Sequence, residues 1–289
     1  MTSDHRDDSF FFIQMSDPQF GMYAALSGSD EAKIEEFRRK RLIVRPAPKA
    51  YGFAFETRLY RKAVDKALRL RPEFVVVCGD MVHDSNDPEQ LAELMSITGD
   101  LSGQVPVRWV CGNHDVGNDL TPASRELYRR RFGRDQYHFD HHGTRFIVLN
   151  SNIAFNPSGV PGAWDEQLEF LDGALDGAEE SGSTRTVAFT HHPLFLEEPD
   201  EPDSTLTIPR ERRDILLERM KARDAWGMFS GHWHRNSYAS DGDFQMVTSA
   251  AVGYPMGDDP SGFRIVKVYP DRIEHQYFGF DDVPESVEL

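Results

Sequence analysis

The chain has 289 residues, of which 39% are hydrophobic, so it can bury a sizeable core. It carries 32 basic and 48 acidic residues, which gives a formal net charge of −16. Because nucleic acids and anionic membranes both attract basic surfaces, this balance argues against either as a general partner. A small anionic substrate is not excluded, since it responds to the local field of its site.

The N-terminal stretch, MTSDHRDDSF, is polar and lacks the apolar segment of a secretory signal. No apolar run approaches the roughly 20 residues that a membrane-spanning helix needs. The two cysteines, Cys78 and Cys111, each end an apolar run, which predicts buried, reduced thiols rather than a disulfide framework. We therefore expect a cytoplasmic protein.

Short apolar runs rich in β-branched or aromatic residues predict strands along the whole chain. In chain order they are FFFIQMS, EFVVVCG, VPVRWVCG, TRFIVLNS, TRTVAFT, WGMFSG, FQMVTSA, FRIVKVYP and RIEHQYFGF. Amphipathic patterns between them predict helices. The first begins at the N-cap Asp87, and the second begins at Thr121 and ends at Gly133. DEQLEFLDGALDGAEESG and PRERRDILLERMKARD predict two more.

Strands that alternate with helices predict an α/β fold, or α+β by some schemes. The last three runs have no helices between them, which favours an antiparallel completion and two packed mixed sheets flanked by helices. No linker divides the chain, so we expect one domain over residues 1–289. Residues 27–55 do not follow this alternation of strands and helices, because they begin helically and then become proline-rich and basic. They form either a solvated helix and loop or a lid that contacts substrate.

Five of the predicted strands end in residues that can bind metal. These residues are Asp17 and Gln19, Asp80, Asn113 with His114 and Asp115, His191 with His192, and His232 with His234. Ligands bind at the carboxyl ends of strands in α/β sheets, and the glycines before several of these residues allow sharp turns there. We therefore expect these side chains to meet in one metal site.

The number of donors indicates two metal ions. Seven side chains exceed what one ion with an open position can accept: Asp17, Gln19, Asp80, Asn113, His191, His232 and His234. Two ions that share a bridging carboxylate need about this number. Carboxylate, amide and imidazole donors without thiolate suit Mn, Fe or Zn in a catalytic site.

The ordered motifs DPQFG, CGD, GNHDVGN, HHPLFLE and GHWHRN resemble those of the calcineurin-like metallophosphoesterase superfamily, in its serine/threonine phosphatase-like branch. The resemblance implies a four-layer sandwich of two sheets and flanking helices. It implies that one metal is held by Asp17, Gln19, Asp80 and His234, and the other by Asp80, Asn113, His191 and His232. His192 would not be a ligand, and Trp233 would pack between the last two histidines.

Roles outside the metal shell also follow from the resemblance. His114 corresponds to the residue that contacts a phosphoryl oxygen or protonates the leaving group, and Asp115 to the carboxylate that orients it. Gln19 stands where many relatives have histidine, which suggests a preference for harder ions such as Mn²⁺. His83 stands where purple acid phosphatases have a tyrosine ligand, so we expect no iron–tyrosinate centre. Tentative substrate contacts are Arg235, Asn150 and Tyr254.

Together these features predict a hydrolase of phosphate esters that uses a metal-bound hydroxide. The expected substrate is a phosphomonoester, either a phosphoprotein or a phosphorylated small molecule. A phosphodiesterase that acts on cyclic nucleotides or other diesters would use the same metal core, so the motifs do not exclude it. A non-catalytic scaffold is a remote third reading, because every expected site position is filled.

Overall fold

The computed structural model describes residues 9–289. Residues 1–8, on which the expectation about a secretory signal depends, lie outside the described part. Within residues 9–289, none of the helices combines the length and apolar composition needed to cross a bilayer.

Two mixed sheets form the centre of the fold. The first consists of β1 (Phe10–Met15), β2 (Val75–Cys78), β3 (Val107–Val110), β10 (Gly262–Val268) and β11 (Ile273–Gly279), in the order β11-β10-β1-β2-β3. The second consists of β4 (Tyr137–His141), β5 (Thr144–Val148), β6 (Arg185–Phe189), β7 (Gly227–Ser230), β8 (Ser237–Asp241) and β9 (Phe244–Thr248), in the order β4-β5-β6-β7-β9-β8.

Each sheet combines parallel and antiparallel strand pairs. β1, β2 and β3 pair in parallel, and β10 and β11 complete the first sheet antiparallel. β5, β6, β7 and β9 pair in parallel, while β4 and β8 are antiparallel edge strands. The predicted antiparallel completion by the last three runs is confirmed for β10 and β11, but it is wrong for β9, which pairs in parallel with β7 and antiparallel only with the edge strand β8.

Helices cover the outer faces of both sheets. Their bounds are α1 (Met22–Leu26), α2 (Glu31–Arg39), α3 (Ala54–Leu70), α4 (Pro88–Ser102), α5 (Pro122–Phe132), α6 (Ser151–Phe155), α7 (Ala163–Glu180) and α8 (Arg210–Lys221). Apolar residues of α3 and α4 pack on the first sheet, and those of α7 and α8 pack on the second. The layer order is therefore helix, sheet, sheet, helix, as expected.

The predicted helix starts at Asp87 and Thr121 are confirmed. The Asp87 carboxylate accepts from the backbone N–H groups of Glu89 and Gln90. Thr121 forms a reciprocal capping box with Ser124. Five of these elements have no counterpart in the strand and helix predictions, namely α1, α3, α6 and the edge strands β4 and β8.

The two sheets are joined by an aromatic cluster. Phe12 of β1 is fully buried, and its ring centroid lies 5.6–5.9 Å from those of Phe146, Phe189 and Phe229 in the second sheet. It also stacks on Phe74, 4.7 Å away. Because β1 is buried on both faces, its alternate residues fill different layers: Phe12 lies between the sheets, whereas Ile13 faces the helices.

We expect the substitution Phe12→Ala to lower the free energy of unfolding by about 3–5 kcal/mol, because it leaves a cavity in the middle of this cluster. Tyr51→Ala is the matched control, since that ring is 84% exposed, and it should change stability by less than about 0.5 kcal/mol. Urea unfolding followed by circular dichroism measures both. A loss below about 1 kcal/mol for Phe12→Ala would show that the cluster does not join the sheets.

Candidate metal centre

The carboxyl ends of strands from both sheets meet at one place. His191, after β6 of the second sheet, donates from Nδ1 to the carbonyl of Cys78 at the end of β2, 2.9 Å away. The backbone N–H of His232, after β7, donates to the Asp17 carboxylate after β1, at 3.1 Å. The site thus lies where the two sheets join, and its side chains come from both.

Backbone strain is concentrated in this centre. Ten non-glycine residues of the described chain have a positive φ, and half of them are predicted metal ligands. These five are Asp17, Gln19, Asp80, His232 and His234, with φ between 38° and 70°. The left-handed region is unfavourable for residues with a Cβ and persists where the surroundings enforce it. Its use here turns each side chain sharply inward after its strand.

Two glycines make the close approach possible. A Cβ at Gly231 would overlap Ser16 Oγ beside the Asp17 carboxylate, and one at Gly79 would overlap the His191 ring. Gly79 also has φ of +85°, which a side chain would disfavour. The glycines before the predicted ligands therefore let elements of the two sheets touch.

The three predicted histidine ligands are held by the same device. Each ring donates one N–H to a backbone carbonyl: His191 Nδ1 to Cys78 (2.9 Å), His232 Nε2 to Thr205 (3.0 Å) and His234 Nδ1 to Tyr254 (2.7 Å). Because a carbonyl can only accept, these bonds fix which nitrogen of each ring keeps its hydrogen when the ring is neutral. The other nitrogen then presents a lone pair, as in metal-binding histidines whose rings are oriented by such partners.

One group of acceptors converges around His191 Nε2. Asn113 Oδ1 lies 3.0 Å away, His232 Nδ1 3.1 Å away and Asp80 Oδ2 3.4 Å away. The Asn113 amide nitrogen donates to Asn118 Oδ1, so its oxygen is the atom that faces the others. Lone pairs this close repel unless a cation or protons lie among them, and the donor set of this group suits a transition metal.

A second group shares Asp80. Ligand atoms of Asp17, Asp80 and His234 lie within 4.8 Å of one another, and His234 Nε2 is 3.2 Å from Asp17 Oδ1. Asp17 Oδ1 and Gln19 Oε1 are buried and have no hydrogen-bond partner among the described residues. Buried oxygens without a partner are costly, and a metal ion would satisfy them. The donors thus fit two ions on either side of Asp80.

The field of this cavity favours positive charge. Burial lowers the pKa of His191, but the Asp80 and Asp17 carboxylates more than compensate and raise it to about 9. Burial also raises the pKa of Asp80, but His191 and His114 shift it to well below its ordinary value. Two carboxylates that stay ionised in a buried site require cations beside them.

His114 is oriented by His83 and not by Asp115. The His114 Nδ1–H donates to the His83 carbonyl at 2.8 Å, and the two rings stack with centroids 4.7 Å apart. The Asp115 carboxylate instead accepts from the backbone N–H groups of Gly112 and Met81 at 2.8 and 2.9 Å. The expected role of Asp115 in orienting His114 is therefore wrong. Asp115 holds the strand-end loops that carry the ligands.

Two of the three tentative substrate contacts are also wrong. Asn150 is fully buried, donates to the Asp135 carboxylate at 2.9 Å and caps α6, so it is occupied inside the fold. The Tyr254 ring is buried beside Tyr23, and its hydroxyl accepts from a backbone N–H. Tyr254 contributes through its carbonyl, which holds His234. Arg235 is half-buried, with its guanidinium 4.5 Å from the Trp233 ring.

His192 and Trp233, which are next to predicted ligands in the chain, are both buried. His192 is buried, and its Nδ1 lies 2.9 Å from Ser151 Oγ, outside both acceptor groups. Trp233 packs with Leu196 and Leu206. A third group, Glu73, His141 and His142, lies at the amino end of the strands and is partly exposed.

Sequence reasoning missed the carbonyl groups of Thr205, Tyr254 and His83. Each holds an imidazole of the site through a main-chain atom. Any residue type supplies a carbonyl, so no sequence signal marks these positions.

Comparisons with known proteins identify related sequences. A family model described as calcineurin-like phosphoesterase matches residues 48–236. The serine/threonine-protein phosphatase CPPED1 of Danio rerio is 34% identical over 286 residues, which cover 96% of this chain and 86% of that protein. CPPED1 of Homo sapiens is 33% identical, over 96% of this chain and 86% of that protein. A cAMP/cGMP dual specificity phosphodiesterase of Mycobacterium tuberculosis is 26% identical, over 71% of this chain and 66% of that protein.

Solved structures share the fold. A dimetal phosphatase from Danio rerio superposes with a TM-score of 0.66 at 19% identity, over 94% of this chain and 96% of that chain. The purple acid phosphatase PPD1 from yellow lupin gives the same TM-score at 12% identity, over 96% of this chain and 52% of that one. The family model covers well over half of the chain, and the curated relatives exceed 30% identity over nearly all of it. The chain therefore belongs to the calcineurin-like phosphoesterase family and is a metal-dependent phosphoric ester hydrolase.

Proposed function

We propose that this phosphoesterase is a phosphomonoesterase that acts on phosphoserine or phosphothreonine in proteins, and that the whole chain forms its single domain. The observation that carries the proposal is the extent of similarity. Relatives named serine/threonine-protein phosphatases match 95–96% of the chain at 31–34% identity, whereas the named phosphodiesterases match 71–78% of it at 25–26%.

Two metal ions would be held by the two groups of acceptors. Asp17, Gln19, Asp80 and His234 hold one, and Asp80, Asn113, His191 and His232 hold the other, with Asp80 shared. The partnerless buried oxygens of Asp17 and Gln19 support the first set. The convergence of Asn113, His232 and Asp80 on His191 Nε2 supports the second.

A bound metal pair supplies electrophilic activation of the phosphoryl group and lowers the pKa of water toward neutrality. The residues of the chain do the rest. The two carboxylates leave the loaded site with net positive charge, so an acidic protein can still attract phosphate there. The backbone N–H of His114 donates to Asp80 Oδ1 at 2.9 Å and thereby fixes the shared carboxylate.

His114 is the proton donor in this proposal. Its Nδ1–H is committed to the His83 carbonyl, so Nε2 is the nitrogen left to hold a proton for the phosphoryl or leaving oxygen. Stacking on His83 restricts the ring to one orientation. Burial lowers the pKa of His83 to about 4, so the His83 ring is neutral at physiological pH and does not repel a protonated His114.

The metals and the location are further parts of the proposal. The donor set suits Mn, Fe or Zn, and the neutral amide of Gln19 favours a hard ion such as Mn²⁺. Cys78 and Cys111 are buried and free, which supports a reducing compartment such as the cytoplasm. The substrate enters as an anion, and we expect no nucleic acid or membrane partner.

Asp80→Asn should release metal and abolish activity, because it weakens the one carboxylate that both groups share. We expect the metal content to fall from two ions per chain to less than one, and kcat to fall at least ~10²-fold. Inductively coupled plasma mass spectrometry and initial rates measure the two effects. Asp100→Asn, an exposed change in α4, is the control. Full metal occupancy in Asp80→Asn would contradict the shared position.

His114→Ala should lower kcat by ~10²–10⁴ while both metals stay bound, since general acid catalysis is lost but no ligand is removed. His83→Ala keeps the carbonyl that holds His114 and should cost much less. Steady-state rates and metal analysis of both variants test this. Loss of metal from His114→Ala, or equal rate losses in the two variants, would refute the assigned role.

In the Mn²⁺-loaded protein, kcat/KM for p-nitrophenyl phosphate should exceed kcat/KM for bis-p-nitrophenyl phosphate. The monoester carries the extra anionic oxygen that a positive centre favours. Initial rates of p-nitrophenolate release, followed at about 405 nm, give the ratio of the two kcat/KM values. A preference for the diester would replace the proposal with a phosphodiesterase.

A further inference from the structure

A basic strip adjoins the metal centre. We use this name for residues 38–49, which contain no acidic residue in a chain of net charge −16. The basic residues of the strip are Arg38, Arg39, Lys40, Arg41, Arg45 and Lys49. The side chains of Arg38, Arg41 and Arg45 are 68%, 51% and 54% exposed. The strip begins at the end of α2 and continues without regular secondary structure, within the segment predicted to be a lid or a loop.

The strip is attached to the loop that orients a metal ligand. Ile43 N donates to the Met256 carbonyl at 3.1 Å, and Arg45 N donates to the Tyr254 hydroxyl at 2.9 Å. The same loop holds His234, through the Tyr254 carbonyl and through Met256 N, which donates to the His234 carbonyl at 3.1 Å. One loop thus separates the strip from the metal centre.

The basic strip meets an acidic segment beside Trp233. The Arg41 guanidinium lies 5.4 Å from the Trp233 ring and forms an ion pair with Glu197. Glu197 begins the sequence EEPDEPD, in which five of seven residues are acidic, and the segment after it supplies the Thr205 carbonyl that holds His232. The segment that leads to Thr205 on the His232 side is therefore acidic. The strip beside the His234 loop is rich in cations, and Arg38, Lys40, Arg41 and Arg45 form exposed ion pairs with neighbouring carboxylates. Such exposed pairs are weak, so these cations stay available to a ligand.

The strip also presents apolar groups to solvent. Ile43 is 38% exposed, and Tyr51, just beyond the strip, is 84% exposed. These groups add apolar contact area to charge attraction when an extended peptide lies along the strip.

We propose that the basic strip binds an acidic segment of a phosphoprotein substrate, on one side of its phosphorylated residue. This inference rests on the proposed function and adds a substrate class to it. The EEPDEPD segment of the protein repels acidic residues of the substrate. An acidic segment of the peptide therefore lies on the strip and not on the EEPDEPD side, so the two surfaces together orient the peptide. A nucleic acid or a continuous anionic membrane would meet the acidic segment as well, which favours a short acidic peptide as the occupant.

Binding of unphosphorylated peptides tests the strip independently of phosphate hydrolysis. The probe is a fluorescein-labelled serine peptide flanked by Asp and Glu, compared with one flanked by Asn and Gln, in fluorescence anisotropy. We expect tighter binding of the acidic peptide, by a margin that shrinks between about 0.15 M and about 1 M salt. Arg41→Ala with Arg45→Ala should raise the Kd of the acidic peptide about 2- to 30-fold and leave the neutral peptide nearly unaffected.

Matched variants keep this test interpretable. Arg61→Ala with Arg69→Ala removes two exposed, ion-paired arginines of α3 and should not change the Kd. Because Arg45 also donates to the Gly257 carbonyl, Arg39→Glu provides a second measurement at an exposed position. Equal binding of the two peptides, no response to either strip variant, or preferential binding of phosphatidylserine vesicles through the same residues would overturn the proposal.

Phosphopeptide hydrolysis separates this proposal from the proposed function. We expect the phosphoserine forms of both peptides to be hydrolysed, with the lower KM for the acidic one and a smaller difference in the strip variant. Hydrolysis of both with equal KM would overturn the strip and leave the phosphatase intact. Hydrolysis of neither, with p-nitrophenyl phosphate still cleaved and the acidic peptide still bound, would refute the phosphoprotein phosphatase and keep the strip as a peptide site.

Discussion

The structure depends on the convergence of acceptor atoms at the junction of two sheets. His191 Nε2 faces Asn113 Oδ1, His232 Nδ1 and Asp80 Oδ2 within 3.4 Å, and Asp17 Oδ1 beside it has no partner in the described part of the chain. Such a group is unfavourable unless positive charge lies within it. Metal ions supply that charge, and the same charge attracts and activates a phosphate ester.

Holding these atoms together has a conformational cost that the rest of the fold offsets. Left-handed backbone at non-glycine residues costs about 1 kcal/mol or more at each position, and five predicted ligands adopt it. The sheets cannot move apart to relieve this strain, because the aromatic cluster around Phe12 fixes their separation. Glycines at positions 79 and 231 remove the atoms that would prevent contact.

Much of the fold could be predicted, because its central strands are buried and apolar. The run FFFIQMS becomes β1 and ends at Asp17, and the N-caps at Asp87 and Thr121 mark their helices. The edge strand β4 escaped prediction because its residues alternate in exposure and include two histidines and an aspartate. The sequence of β8, SYASD, is similarly polar. An edge strand is defined by its pairing, which local composition does not reveal.

Some features of the candidate site could likewise be predicted from the sequence, and others could not. Ligand side chains could be predicted because few residue types bind metals and each follows a strand. The role of Asp115 could not, since the contact of His114 with the His83 carbonyl depends on the path of the main chain. Asn150 follows a strand just as the ligands do, yet it is directed into the fold toward Asp135. A position directly after a strand therefore predicts that a residue lies at the strand ends, but it does not predict whether its side chain points into the metal centre or into the fold.

The most direct test of the account is anomalous X-ray diffraction from crystals of the Mn²⁺-loaded protein. We predict two anomalous peaks on either side of the Asp80 carboxylate. One would be bounded by Asp17, Gln19 and His234, and the other by Asn113, His191 and His232. A single peak at this junction, or strong peaks only at the partly exposed group of Glu73, His141 and His142, would contradict a dinuclear centre.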